Sequence, residues 1–142
     1  MAPVSRRMAK MNGNQAYSLE CDGALPFLFR RIPAGHFLMG SSNGLPIAPE
    51  GPEHSVEVNG FWMADSPVTA QQYEAVMKRN PSKFQGHWDL PVESVSWLDV
   101  KEFCDTLSQS SGVLIRLPSE AEWEYACRAQ VFDAIPFRRF AR

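Results

Sequence analysis

Arg116-Leu-Pro-Ser-Glu-Ala-Glu-Trp-Glu-Tyr-Ala-Cys-Arg-Ala129 is the stretch from which the fold is predicted. Pro118 disfavours helical geometry at the residue before it, so the chain is expected to stay extended up to that point. Ser119 is a favourable N-cap, and Glu122 three residues later completes a capping box with it. The stretch therefore predicts a helix over residues 119–129.

The glutamates of this helix allow two interpretations. Glu120, Glu122 and Glu124 suggest paired carboxylates for acid–base chemistry, but residues two apart on a helix point in nearly opposite directions. Glu124 also has Arg128 four residues later, in the favourable order for an ion pair. We interpret the helix as a capped, salt-bridged structural element and predict no catalytic residue in it.

Arg116 and Leu117 close an apolar run, residues 113–117, that predicts a partly buried strand. A partly buried guanidinium needs an anionic partner or water. We expect Arg116 to pair with a carboxylate of the following helix or of a loop such as the one that holds Glu93.

Length and composition fit one globular domain. The chain has 142 residues, of which 44% are hydrophobic and 11% aromatic, and this aromatic content argues against disorder. Its net charge of −2 gives no electrostatic footprint for nucleic acid or an acidic membrane surface. The apolar run 24–29 is too short for a signal or membrane segment, which predicts a soluble, cytoplasmic protein.

Cysteine and histidine spacing does not predict a metal site. Cys21, Cys104 and Cys127 form no close pair, and their odd number argues against a disulfide scaffold. Cys104 and Cys127 lie in predicted helices, where a free cysteine usually acts as a small buried hydrophobe. Residues 50–54, Glu-Gly-Pro-Glu-His, lack the helical histidine pair of zinc proteases and predict a solvated acidic loop.

Short strands, capped helices and irregular loops make up the rest of the chain. The strongest signals are Asn59-Gly60, which favours a hairpin turn, and two further capping boxes, Thr69 with Gln72 and Ser96 with Asp99. The predicted elements are, in order, a loose leader over 1–23, strands over 25–32 and 36–40, a surface loop over 41–53, a hairpin of 54–58 with 61–64, a helix over 69–79, a packed-down connection over 80–95 and a helix over 97–110. This order lacks repeated βαβ units and favours an irregular α+β domain.

Six segments together resemble the formylglycine-generating enzyme, or sulfatase-modifying factor, family. Their order and spacing agree with that family, and the stretch 116–129 is the most specific of them. The other five are Ile32-Pro-Ala-Gly-His-Phe-Leu-Met-Gly40, Glu53-His-Ser-Val-Glu-Val58, Ser66-Pro-Val-Thr-Ala-Gln-Gln-Tyr73, Asn80-Pro-Ser-Lys-Phe84 and Pro91-Val-Glu-Ser-Val-Ser-Trp97.

The resemblance implies a C-type-lectin-like α+β fold and an activity class. Founding members oxidise a sulfatase cysteine, within Cys-x-Pro-x-Arg, to Cα-formylglycine with oxygen and a copper ion held by two cysteines. Copper and calcium are thus implied for full-length members, and a sulfatase-type protein or peptide is the implied partner. Other members serve in sulfoxide synthesis, siderophore maturation or ligand display.

The resemblance also predicts which part of the family domain is present. Residues 24–130 correspond to its N-terminal part, and residues 131–142 form a divergent tail. The family's active-site cysteines and calcium site lie beyond the matching part, so we expect no catalytic, cofactor-binding or metal-binding residue here. The expected alternatives to a shortened, inactive enzyme are a non-catalytic lectin-like binding scaffold and a truncated remnant.

Overall fold

Each of two compact units is built from two separate stretches of the chain. A computed structural model describes residues 4–11, 14–21, 23–41, 52–84 and 86–128, with the backbone alone for 4–11, 14 and 15. Unit 1 comprises Met1–Arg31 with Trp62–Leu117, and unit 2 comprises Ile32–Phe61 with Pro118–Arg142. The elements are, in chain order, β1 (Val4–Met11), β2 (Asn14–Cys21), β3 (Phe27–Ile32), β4 (Gly35–Met39), β5 (His54–Val58), β6 (Phe61–Ala64), α1 (Ala70–Met77), α2 (Trp97–Ser111) and α3 (Glu120–Arg128).

A sheet with the strand order β1-β2-β3-β6 forms one layer of unit 1. The pairs β1–β2 and β2–β3 are antiparallel, with Tyr17 opposite Phe29 in the second pair. The Tyr17 ring stacks on the Phe29 ring at 4.9 Å between centroids and meets Trp62 of β6 edge-on at 5.0 Å. Aromatic side chains on neighbouring strands therefore form one face of the core.

The prediction of a loose leader over residues 1–23 is wrong for the strands β1 and β2. Leu19 has no exposed surface, and Cys21 is 6% exposed. Most of the described β2 side chains are buried, among them Ala16, Tyr17, Leu19 and Cys21. A segment of mixed polar and apolar residues can therefore form a central strand when neighbouring strands satisfy its backbone groups on both sides.

Helices α1 and α2 cover the apolar core of unit 1. Tyr73 of α1 and Leu107 of α2 are each 1% exposed, and the Tyr73 ring stacks on Phe103 at 5.4 Å. Both predicted capping boxes are present, and α2 ends at Gly112 in the left-handed conformation. The helical spacing and the caps thus placed these elements to within two residues of their observed bounds.

Unit 2 consists of an antiparallel pair, β4 with β5, and helix α3. Phe37 of β4 lies opposite Val56 of β5, and its ring is 5.4 Å from that of Tyr125 on α3. Phe37, Val58 and Tyr125 are all buried. The strand over 54–58 was predicted, but its partner was not.

The predicted hairpin between residues 54–58 and 61–64 is wrong, although both strands exist. β5 pairs with β4, whereas β6 lies beside β3 in the other sheet. A type I′ turn needs positive φ at both central residues, and the described residues with positive φ do not include Asn59 or Gly60. Tertiary pairing has overridden the local turn preference.

Residues 114–119 have no regular secondary structure, so the strand predicted over 113–117 is also wrong. Val113 and Ile115 are half-buried and Leu114 is 82% exposed, the alternation that a strand would show, but the backbone of this run pairs with no strand among the described residues. The tail 131–142 and most of the predicted surface loop 41–53 lie outside the described residues. In the described part of the chain, none of the helices has the length and apolar character needed to cross a bilayer.

Candidate functional site

The start of α3 in unit 2 carries the predicted capping box. The Ser119 amide donates to Glu122 Oε2 at 2.8 Å, and the Glu122 amide donates to Ser119 Oγ at 3.2 Å. These bonds satisfy two amides that would otherwise lack helical partners. Ser119 and Glu122 therefore have the structural role that was predicted for them.

Glu124 joins α3 to the end of β4. Its Oε1 accepts a 2.6 Å ion-pair contact from Arg128 and a 3.0 Å hydrogen bond from the Gly40 amide. Arg128 also donates to the Gly40 carbonyl oxygen. The Gly40 amide, followed by Arg128, holds the pKa of Glu124 below its ordinary value, because both contacts favour the charged carboxylate. The predicted salt bridge is present and ties the helix to a strand distant in sequence.

Gly35 allows Tyr125 to approach the β4 backbone. A Cβ atom at residue 35 would lie 3.2 Å from Tyr125 Cζ and closer still to the hydroxyl oxygen. Tyr125 is itself 6% exposed beside Phe37, so its ring has little room to move away. The glycine is needed here because of this close approach and not because of its own turn geometry.

Arg116 lies in the irregular segment before α3 and is exposed. Its Nη1 donates to the Leu117 carbonyl oxygen at 3.0 Å. The expected partial burial of this side chain is wrong, because no strand forms around it. Pairing of its guanidinium with a carboxylate stays a prediction.

The segment after α1 in unit 1 is fixed to the start of that helix. We call residues 81–84 and 86–95 the anchored loop. The Ala70 amide donates to the Leu90 carbonyl at 2.9 Å, and the Gln71 amide donates to the Trp88 carbonyl at 3.1 Å. The first amides of a helix have no partner within the helix, and here the loop supplies two of those partners.

Glu93 holds the loop together from within. Its Oε1 accepts hydrogen bonds from the Lys83 and Phe84 amides, the latter at 3.0 Å, and its Oε2 accepts one from Ser94 Oγ at 2.6 Å. The Ser94 hydroxyl and then the Phe84 amide lower the pKa of Glu93. Ser94 has a φ of 59°, a left-handed conformation that few residues other than glycine adopt. The backbone of the loop thus has a defined conformation, in agreement with the predicted packed-down connection.

Large apolar side chains of this loop face solvent in spite of its fixed backbone. Phe84 is 74% exposed, Trp88 is 56% exposed and Leu90 is 43% exposed. The exposed apolar run continues into the first turn of α2, where Trp97 and Leu98 are 64% and 71% exposed. We expected these loop side chains to be covered, and that expectation is wrong. A patch of this kind on a rigid support is typical of a binding surface.

Charged groups lie at the start of α2. Arg79 Nη2 is 2.8 Å from Asp99 Oδ1 and 3.3 Å from Glu102 Oε2. The Ser96 hydroxyl and amide, followed by Arg79, lower the pKa of Asp99 to about 2. These groups already have partners, so we assign them a structural role at the edge of the apolar surface.

Two of the three cysteines are buried, which bears on the copper site that the resemblance implies. Cys21 and Cys104 are buried in unit 1, and burial raises the pKa of the Cys104 thiol, which disfavours the thiolate that a metal would need. Cys127 belongs to unit 2 and is exposed, so the prediction that it is a buried hydrophobe is wrong. The described residues also contain no group of three or more His, Cys, Asp or Glu side chains arranged to hold a metal ion.

His54 begins β5 and is exposed, with its Nδ1 3.1 Å from the Pro52 carbonyl oxygen. Glu53 beside it is exposed as well, in agreement with the predicted solvated segment. Glu50 lies outside the described residues.

A family comparison and two structural comparisons bear on the whole chain. Residues 29–134 match the sulfatase-modifying factor enzyme 1-like domain. PvdO from Pseudomonas aeruginosa has a similar structure, with a TM-score of 0.68 and 28% identity over 86% of this chain and 53% of that chain. Treponema denticola variable protein 1 has a TM-score of 0.65 at 20% identity, over 88% of this chain and 57% of the other, which is a likeness of fold alone.

A curated relative is the chaperone protein LppX of Paenibacillus barcinonensis. The alignment runs over 107 residues at 28% identity, and the match covers 52% of this chain and 38% of the relative. The chain thus spans little more than half of the matched structures and less than half of this relative. The fold is the predicted irregular α+β fold of the formylglycine-generating enzyme, C-type-lectin-like type.

Proposed function

We propose that this chain, which belongs to the sulfatase-modifying factor enzyme 1-like family, is a binding module that docks a polypeptide through the anchored loop. The observation that carries the proposal is the contrast between a backbone held by Glu93 and α1 and side chains that stay exposed. Phe84 and Trp88 keep 74% and 56% of their surface in solvent.

A polypeptide suits this surface for two physical reasons. Aromatic side chains in the centre of protein interfaces contribute most of the binding energy. A loop whose conformation is already set loses little further entropy when a partner binds. The hydrogen bonds of Glu93 to Lys83 and Phe84 therefore favour tight binding as well as local order.

The family and one relative support the choice of partner class. The family name refers to the modification of sulfatases, and LppX is named a chaperone protein, which acts on polypeptides. We therefore propose a sulfatase-type polypeptide, with its Cys-x-Pro-x-Arg segment, as the occupant of the surface.

Oxidation of the sulfatase cysteine is not part of the proposal for this chain by itself. The copper ion of that reaction would need a pair of cysteine thiolates. Cys21 and Cys104 are buried thiols, and burial raises the pKa of Cys104, so these two described residues do not fit a thiolate-bound copper ion.

The binding test uses fluorescence anisotropy of a labelled Cys-x-Pro-x-Arg peptide titrated with the purified chain. We expect Trp88→Ala and Phe84→Ala each to weaken binding by about tenfold, as hot-spot truncations do. Trp123→Ala is the matched control, because Trp123 of unit 2 is also 56% exposed. Equal loss with Trp123→Ala, or unchanged binding with Trp88→Ala, would contradict the proposal.

Catalysis is tested separately. The chain is incubated with copper, oxygen, a reductant and the same peptide. The mass of the peptide is then measured by mass spectrometry to detect conversion of its cysteine to formylglycine. We expect peptide binding without conversion. Steady turnover would show that the cysteines of this chain are sufficient for the reaction.

A further inference from the structure

A depression on unit 1 lies beside the anchored loop and is open to solvent. Its volume is about 450 Å³, within the range of small-molecule sites. The residues that line it are Gly23, Gln71, Glu74, Ala75, Lys78 and Trp88. It combines an exposed indole with one carboxylate and one ammonium group.

The walls of the depression are fixed to one another. The Gln71 amide donates to the Trp88 carbonyl oxygen, and Gln71 Nε2 donates to the Gly23 carbonyl oxygen, both at 3.1 Å. One residue of α1 thus holds both the loop wall and the wall formed by the chain after β2. A ligand would meet a site that is already assembled.

The charged side chains still have capacity to bind. Within the described part of the chain, the Glu74 carboxylate has no hydrogen-bond or ion-pair partner. Lys78 Nζ donates to the Ala75 carbonyl oxygen at 2.7 Å, and an ammonium group has three hydrogens to donate. One acceptor group and one donor group are therefore available on the same helix, α1 and its C-cap.

We infer that this depression binds a small zwitterion with a flat apolar group, the chemistry of an aromatic α-amino acid. The ligand's ammonium group would pair with Glu74, its carboxylate with Lys78, and its ring would stack on Trp88. A ligand with only a positive charge would place that charge near the Lys78 ammonium group. A ligand with only a negative charge would place it near the Glu74 carboxylate. The inference shares Trp88 with the proposed polypeptide docking, but its charge contacts to Glu74 and Lys78 do not depend on that docking.

The same chemistry is also present in a peptide with neighbouring cationic and anionic side chains. Calorimetric titration with L-phenylalanine and with an Arg-Phe-Glu tripeptide blocked at both ends separates the two sources. We expect the free amino acid to bind and the blocked tripeptide to bind at least tenfold more weakly, because the depression is small.

Blocked ligands and variants test the assignment of each charge. N-acetyl-phenylalanine, which lacks the ammonium group, and phenylalaninamide, which lacks the carboxylate, are each expected to bind at least tenfold more weakly. Glu74→Gln should abolish the preference for the free ammonium group, and Lys78→Asn should abolish the preference for the free carboxylate. Asparagine suits residue 78 because it tolerates the left-handed φ of 59° found there.

Two controls keep this test separate from the proposed polypeptide docking. Phe84→Ala should leave the binding of phenylalanine unchanged while weakening peptide binding, and Glu74→Gln should have the reverse effect. Circular dichroism confirms that each variant is folded. Absence of heat with 10-fold excess phenylalanine at millimolar concentration, or equal binding of the blocked forms, would overturn the inference.

Discussion

Glu93 in unit 1 and Glu124 in unit 2 make the same kind of contact for different ends. Each carboxylate accepts a hydrogen bond from a main-chain amide that is distant in sequence. The donor is Phe84 for Glu93 and Gly40 for Glu124. Around Glu124 the aromatic rings of Phe37 and Tyr125 are buried, whereas around Glu93 the rings of Phe84 and Trp88 are exposed. The same contact, a main-chain amide bound to a glutamate carboxylate, can therefore support either a buried core or an exposed surface. The difference lies in whether the nearby aromatic side chains are buried.

The largest expected effect is a difference in the free energy of unfolding between a substitution near Glu124 and one near Glu93. Tyr125→Ala should lower the free energy of unfolding by about 3 kcal/mol, because it removes a buried ring and leaves a cavity. Phe84→Ala should change it by less than about 0.5 kcal/mol, because that ring is already in water. Urea denaturation measures both. Equal losses would mean that the loop side chain is part of a core.

Gly35 provides the next largest effect. Gly35→Ala should destabilise the protein by about 1–3 kcal/mol, because the new methyl group overlaps the Tyr125 hydroxyl and forces a buried ring to shift. The double variant Gly35→Ala/Tyr125→Phe removes that hydroxyl and should recover part of the loss. Thermal unfolding of the two variants checks the coupling, and strict additivity would show that the two residues do not meet.

The helix caps should contribute similarly in the two units. Ser119→Ala and Ser96→Ala should each lower the free energy of unfolding by about 1 kcal/mol, the usual value for an N-cap. Ser96→Ala should also raise the pKa of Asp99 from about 2, since the Ser96 hydroxyl is the largest cause of that low value. An NMR titration of the Asp99 carboxylate measures this shift. An unchanged pKa would mean that the Ser96 amide and Arg79 set it without the hydroxyl.

Acid should weaken the hydrogen bonds that the Glu93 and Glu124 carboxylates accept from main-chain amides. This is the smallest of the expected effects on global stability. The pKa values of Glu93 and Glu124 are lowered in the folded protein, so their contribution is present above the ordinary glutamate pKa and is lost as the pH falls through the lowered folded values. The protection of the Phe84 and Gly40 amides, measured against their intrinsic exchange rates, should fall in that acidic window. Glu93→Gln should accelerate exchange at Phe84 at neutral pH while Gly40 is unaffected, and Glu124→Gln should do the opposite.

Local patterns predicted helices and caps well and predicted strand partners poorly. Thr69, Ser96 and Ser119 begin helices where their spacing to Gln72, Asp99 and Glu122 indicated, because a capping box is decided within four residues. The partner of β5 was wrong because strand pairing joins residues that are distant in sequence. β2 was missed altogether, since its polar residues carry no clear period.

The candidate site was found only in part from sequence. The segment 80–95 was predicted to pack down, and its backbone does, but its apolar residues were expected to be covered. The role of Glu93 has no local signal, because its contacts to Lys83 and Phe84 span ten and nine residues without helical spacing. The Gln71 amide donates a hydrogen bond to the Trp88 carbonyl oxygen, a contact that no pattern of residue types reveals.

The sequence by itself determined the family, the three helices and their caps, and the ion pair of Glu124 with Arg128. These features depend on residues within one turn or one motif, where spacing alone sets the geometry. Only the tertiary structure decided that Gly40 meets Glu124, that Gly35 makes room for Tyr125 and that the anchored loop exposes its aromatic residues. Those features depend on contacts across many residues, and such contacts form only when the whole chain has found its partners.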